Sequence, residues 1–330
     1  MFMAISRTPY RISFFGGGTD YPEWYRKNGG AVLSMATNKY CYISGRHLPP
    51  FFGIRHRVVW SHIETVGAIS EILHPAVRVG LEATGFSDEE GVELHHQGDL
   101  PARSGIGSSS AFSVGLINAL HAMRGETIGA HELAVAAIDL EQNKLKETVG
   151  CQDQVASAYG GLNVIRFDKD TISVDPLNLS DAQRGAFEQR LMVFYTGTTR
   201  LSSSLAKKLV DNFDAKAKSL QRMQEMVPQA AGLLRSGDLD GFGRLLHESW
   251  SLKRALTGSI STSSIDRIYD DAMRAGALGG KLMGAGGAGF MVFVVPPEHQ
   301  IRVREALSHL IHVPVRIDFS GSTIIYRQDQ

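Results

Sequence analysis

Apolar residues alternate and then cluster in the stretch ISRTPYRISFF, residues 5–15, and a glycine triplet follows, so the chain is expected to open on a strand that ends in a turn. Asp20 and Pro22 mark a helix start and Asn28-Gly29 a stop, which predicts a short helix between them. The pattern predicts further strands near residues 31–48, 57–61 and 92–96, with a helix over 69–82. From residue 108 to about 160 it turns helical, with helices near 109–123, 131–146 and 151–159. Strands at 162–167, 171–174 and 191–195 follow. Beyond residue 196 long amphipathic stretches predict helices over 203–236 and 239–256. The tail GGKLMGAGGAGFMVFVV returns to strand, glycine loop and strand, followed by a helix over 298–310 and a last strand. Both halves therefore read as α+β, and the shift to long helices places a boundary near residue 190, giving domains 1–190 and 191–330.

The 330 residues carry 34 Lys plus Arg against 34 Asp plus Glu, so no overall basic field recruits nucleic acid or an anionic membrane. Any anion site has to be local. No apolar run approaches the ~18 residues that span a bilayer. Arginines interrupt the N-terminal stretch where a signal peptide would be apolar, and the only cysteines are Cys41 and Cys151, so the expected location is the cytoplasm, with free thiols.

The stretch GDLPARSGIGSSSAFSVGLINAL places Gly105, Gly107 and the serines Ser108, Ser109 and Ser110 directly before an apolar helix. Glycines let the loop amides turn toward an anion, and the helix start adds unpaired N–H groups and the positive end of its dipole. The hydroxyls can cap the helix, bond a phosphate or ligate Mg²⁺. The same residues also suit a plain serine-capped helix. The loop is not a Walker A loop, because GxxxxGK[ST] is missing. Protein-kinase signatures are absent as well, and HEL at His131 lacks the second histidine of a zinc protease.

Two further glycine segments change the weight of that reading: RTPYRISFFGGGTDYPEW near the start and GGKLMGAGGAGF near the end. With all three in this order the chain resembles the GHMP kinase superfamily, named for galactokinase, homoserine kinase, mevalonate kinase and phosphomevalonate kinase. Within it, RISFFGGGTDYPEW, GGAVLSMATNKYCYI, LPPFF and HPAVR resemble the branch of sugar-1-kinases that act on D-glycero-D-manno-heptose 7-phosphate. The resemblance implies a two-domain fold, with a ribosomal-protein-S5-like N-terminal domain and a ferredoxin-like C-terminal domain. It implies ATP and Mg²⁺, with a sugar between the domains, phosphorylation at C1, and a place in heptose supply for surface polysaccharide.

By the same resemblance Asp153 in GCQDQ is the base for the acceptor hydroxyl, and Arg11 lies beside it to offset charge on the transferring group. Glu141 and Ser109 match the Mg²⁺ site. Asp20 matches a sugar-binding aspartate, in a segment where galactokinase's Glu-His pair is replaced by Gly17 and Gly18 ahead of Thr19. Those glycines give room and exposed amides to a longer, phosphorylated sugar, whose phosphate could be held by Arg103 or Arg200. Lys281, Gly284, Gly286 and Gly287 are expected to support the phosphate loop. Plainer roles stay open: Asp153 as a helix N-terminal charge, Glu141 paired with Lys144, Arg11 as a strand-end charge, Asp20 as a helix cap and Lys281 in a hairpin. Other open readings are a kinase for an unphosphorylated hexose, such as fucose or galactose, and a silent sugar and ATP sensor. Helices after residue 200 could pair two chains into a homodimer.

Overall fold

The computed structural model of the protein describes residues 3–197, 206–207, 210–256, 260–284 and 287–328. Among these, one sheet gathers eight strands: β1 (Met3–Phe15), β2 (Gly30–His47), β3 (His56–Val59), β4 (Ile63–Val66), β5 (Val92–Gly98), β6 (Leu162–Phe167), β7 (Ile172–Pro176) and, from the far end of the chain, β12 (Thr323–Arg327). Their order is β12-β1-β2-β5-β3-β4, with β6 pairing β2 and β7. A second sheet of four strands joins β8 (Leu191–Tyr195), β9 (Gly279–Leu282), β10 (Phe290–Val294) and β11 (Ile311–His312) in the order β11-β8-β10-β9. Because β12 pairs antiparallel with β1, the tail of the chain returns to the first sheet.

The helices are α1 (Pro22–Asn28), α2 (Pro75–Ala83), α3 (Ser108–Met123), α4 (Ala130–Ile138), α5 (Gln152–Tyr159), α6 (Asp181–Arg190), α7 (Ala217–Ser236), α8 (Leu239–Leu256), α9 (Ser263–Ala275) and α10 (Gln300–Ala306). None among the described residues is long and apolar enough to cross a membrane. α3 is buried on nearly every face because it lies between the first sheet and other helices. It approaches β1 closely at Gly115, whose carbonyl accepts the Ser6 hydroxyl at 2.7 Å. A Cβ at Gly115 would stand 2.9 Å from the Thr8 hydroxyl, tighter than packed side chains tolerate.

Several elements differ from their sequence expectation for local reasons. The helix expected over 69–82 starts only at Pro75, since a residue before proline is pushed out of the helical region. The amides of Leu73 and His74 are held instead by the Glu64 carboxylate, at 2.5 and 3.2 Å. The helix expected over 131–146 is α-helical only to Ile138 and then widens into a π-helical turn, Asp139–Lys144, closed by Leu145 N–H to Leu140 O at 2.9 Å. Helix α6 had a readable start that periodicity overlooks: Ser180 and Gln183 form a reciprocal capping box. The first part of the helix expected over 203–236 falls largely outside the described residues, and α7 accounts for the rest.

The two halves meet through aromatic edges. Phe242 of α8 sets its ring edge-on against Phe14 and Phe15 of β1 and Phe187 of α6, at 5.5, 5.3 and 5.3 Å between centroids. Phe242 is fully buried, so Phe242→Ala is expected to cost about 3–5 kcal/mol, read as a lower urea midpoint in equilibrium unfolding. An unchanged midpoint would mean that this junction is not where the halves are held.

Candidate active site

Pro9 has no N–H to give the sheet, and the register between β1 and β2 shifts between Pro9 and Arg11. At that shift the Arg11 amide donates to the carbonyl of Ile106 in the first long glycine loop, at 3.1 Å. Its side chain, 5% exposed, then reaches Asp153 with two parallel bonds, Nε to Oδ1 at 2.6 Å and Nη2 to Oδ2 at 2.7 Å. The third nitrogen, Nη1, donates to Gly105 O at 2.7 Å. One guanidinium thus fixes both a carboxylate at the start of α5 and the loop that precedes α3. Asp153 itself keeps 23% of its side chain open to solvent, so it is reachable.

The loop comes this close because of its glycines. Gly107 has φ +72°, and a Cβ there would lie 3.1 Å from Arg11 Cγ and 3.3 Å from Asp153 Oδ2. It is also the residue before α3, which has no side-chain cap, so the first-turn amides of the helix face an open end beside the exposed Ser109. Ser108 Oγ is engaged by the amide of Arg103 at 3.0 Å, inside the loop. The third glycine segment packs backbone to backbone behind it: a Cβ on Gly284 would be 2.5 Å from Gly105 Cα, and Phe290 N–H donates to Ser104 O at 3.2 Å. Gly287 donates its amide to Ile260 O at 2.9 Å, and Gly286 lies outside the described residues.

Behind the helix start sits Glu141, carried inward by the π-helical turn and fully buried. Its Oε2 accepts from Ser110 Oγ at 3.0 Å and Gln154 Nε2 at 2.5 Å, while Oε1 has no partner. Burial pushes this carboxyl up to about 7. The plainer pairing with Lys144 does not form, since Lys144 lies against Asp139 at 3.5 Å. The serine that meets Glu141 is Ser110 rather than Ser109, because Ser109 points outward on the first turn. A buried carboxylate with an orphaned oxygen beside a helix start lined by hydroxyls suits a small hard cation that keeps water and phosphate in its shell.

Asp20 is not a helix cap, as Tyr21 holds that position before α1. Its Oδ1 accepts the Gly18 amide at 2.9 Å and its Oδ2 the Gln152 amide at 3.3 Å, so it ties the GGG turn to the first turn of α5. Burial and the neighbouring Asp153 charge push the Asp20 carboxyl up. Gly18 therefore spends its amide within the turn instead of offering it outward. The Thr19 hydroxyl is likewise consumed, donating to the carbonyls of Gly16 and Ala31 at 2.8 and 3.0 Å with no exposed surface. Gly17 stays partly open, and the nearest atoms to a Cβ there are 3.6 Å away.

The Lys281 ammonium donates to Phe14 O at 3.0 Å and the residue is 3% exposed, so it ties β9 to the end of β1. Burial, then the nearby Lys253 and Arg11 charges, pull its pKa well down. Lys253, on the last turn of α8, went unseen in the sequence, where SWSLKRAL reads as an ordinary amphipathic helix end. Arg103 is exposed on the loop with φ +59°, and Arg200 lies outside the described residues.

The arrangement holds an orienting arginine, an open carboxylate, an uncapped helix start and a carboxylate suited to a cation, as in-line phosphoryl transfer requires. Against known proteins, the family model described as GHMP kinases N terminal domain matches residues 71–161, and GHMP kinases C terminal matches 230–312, together more than half of the chain. The chain is 27% identical to the D-glycero-alpha-D-manno-heptose 7-phosphate kinase of Campylobacter jejuni over 92% of both chains. It is 26% identical to the bifunctional fucokinase/GDP-fucose pyrophosphorylase of Arabidopsis thaliana, over 94% of this chain and 31% of that one. In fold it resembles the crystal structure of a D-glycero-D-manno-heptose 1-phosphate kinase from Bacteroides thetaiotaomicron, with a TM-score of 0.80 and 22% identity over 100% of this chain and 99% of that one.

Proposed function

Since the chain belongs to the GHMP kinases, a family of small-molecule kinases with ATP as phosphate donor, we propose that it phosphorylates the C1 hydroxyl of D-glycero-D-manno-heptose 7-phosphate. The observation that carries the sugar is the likeness to the Campylobacter jejuni heptose phosphate kinase along nearly the full length of both chains. The reaction itself rests on the site. Asp153 takes the proton of the acceptor hydroxyl, and Arg11 holds that carboxylate by its two bonds of 2.6 and 2.7 Å so that it faces the open side of the loop. The loop amides and the uncapped start of α3 bind the phosphates of ATP. Glu141, with Ser109 or Ser110, would hold Mg²⁺, which neutralises phosphate charge when bound. Asp20, at the GGG turn, lies next to Asp153 and would meet sugar hydroxyls, with Gly17 leaving space beside it.

A coupled ADP-release assay with Mg-ATP tests this on five sugars: the heptose 7-phosphate, mannose 6-phosphate, mannose, fucose and galactose. A kcat/KM for the heptose phosphate at least about 10²-fold above the free hexoses is expected, because a site built for a charged group rejects analogues that lack it. ³¹P NMR should place the new phosphate on C1. A free hexose as best substrate would overturn the sugar assignment and leave the phosphoryl-transfer chemistry standing.

A further inference from the structure

Three basic side chains gather near the catalytic centre from different elements: Arg11 from β1, Lys281 from β9 and Lys253 from α8. Two of them are spent. Arg11 is bound at all three nitrogens by Asp153 and Gly105, and Lys281 is buried against Phe14 O. Lys253 differs. Its ammonium donates to Gly284 O at 2.5 Å, and among the described residues no carboxylate lies within ion-pair distance of it. An ammonium has three donors, so two remain beside a charge that no local anion neutralises. Gly284 is the residue whose Cα abuts Gly105 in the phosphate loop, so the free end of Lys253 sits where the two glycine loops interlock.

We propose that Lys253 binds a phosphoryl oxygen in the catalytic centre, foremost that of the γ-phosphoryl group being transferred. This rests on the kinase chemistry and not on the choice of sugar. Arg11, already paired to Asp153, orients the base; Lys253 is the cation left for the moving charge, and α8 brings it from the second half of the chain. The charges around Lys253 favour an anion at this spot. Burial and then the Arg11 charge lower the Lys253 pKa to about 8, while Asp20 and Asp153 only partly oppose them. A bound phosphoryl group would relieve that repulsion.

The test compares binding of Mg-ADP and Mg-AMPPNP by titration calorimetry in the wild type, Lys253→Met and Lys253→Arg, with thermal melts as a check on folding. Lys253→Met is expected to weaken AMPPNP by about 10-fold or more with ADP within about 3-fold, and Lys253→Arg to restore most of the loss. In the wild type the preference for AMPPNP should fade above about pH 8 as Lys253 loses its proton, and it should persist in Lys253→Arg, which stays charged. If nucleotide binding is untouched but KM rises for a phosphorylated sugar and not for mannose, the phosphoryl oxygen belongs to the acceptor, and the anion role stands. Equal loss of ADP and AMPPNP, or wild-type binding and turnover in Lys253→Met, overturns it and leaves Lys253 as a strut between α8 and the glycine loop. Should Lys253→Met not fold, Lys253→Gln serves the same comparison. Because the nucleotide arm uses no sugar, a wrong sugar assignment cannot be mistaken for failure here.

Discussion

Asp153→Asn is expected to lower kcat by about 10²-fold or more, with Mg-ATP and sugar binding within a few-fold of wild type. The amide keeps the size of the side chain and one acceptor for Arg11, so the guanidinium still spans the substituted side chain and Gly105 O, and the loop keeps its place. What disappears is the group that takes the proton of the acceptor hydroxyl. Arg11 is nearly fully buried and loses a charged partner, so the melting temperature should fall too. Binding measured below that temperature separates the two effects. Near-normal turnover would remove Asp153 from the base role and leave it as an anchor for Arg11.

The second large effect is expected from Gly105→Ala. Gly105 has φ +81°, which a side chain adopts only under strain, and its new Cβ would stand 2.5 Å from Met283 O and 2.9 Å from the carbon of that carbonyl. Those atoms are backbone, so nothing nearby can swing aside. The third glycine loop has to retreat, taking Gly284 from its seat against Gly105, and the Arg11 bond to Gly105 O from its geometry. Overpacking of this kind costs about 1–3 kcal/mol, and a displacement near 1 Å at the phosphate loop lowers turnover by about 10²-fold. Gly17→Ala is the matched control, because φ there is not positive and the nearest atoms are 3.6 Å from its Cβ. A melt like that of the wild type is expected for Gly17→Ala and a clear loss for Gly105→Ala. Equal melts would mean the two loops are not pressed together.

What could be read from sequence alone was whatever is encoded by local chemistry. The alternation of β1, the glycine turn after it, the apolar run of α3 and the position of β6 and β8 follow from period and punctuation. The three glycine loops were legible because a run of residues without side chains has few other uses, and their order pointed to the family that the two domain matches support. Which side chains face the centre was decided by tertiary contacts. Ser110 rather than Ser109 meets Glu141 because Ser110 is on the buried side of the first turn of α3 and Ser109 on the exposed side, while Glu141 lies buried in a π-helical turn invisible in residue spacing. Thr19 was expected to meet the substrate and Lys281 to support the phosphate loop, yet the backbone carbonyls of Gly16 and Ala31 take the Thr19 hydroxyl, and Lys281 is buried with its ammonium on Phe14 O. Lys253 left no trace in its helix, since one lysine on an amphipathic stretch is ordinary until Phe242 docks α8 against β1 and the last turn lands at Gly284. Periodicity and glycine spacing report what a segment does with its own backbone; the partner of a charge depends on which distant segment folding brings within hydrogen-bond reach, and no local pattern encodes that distance.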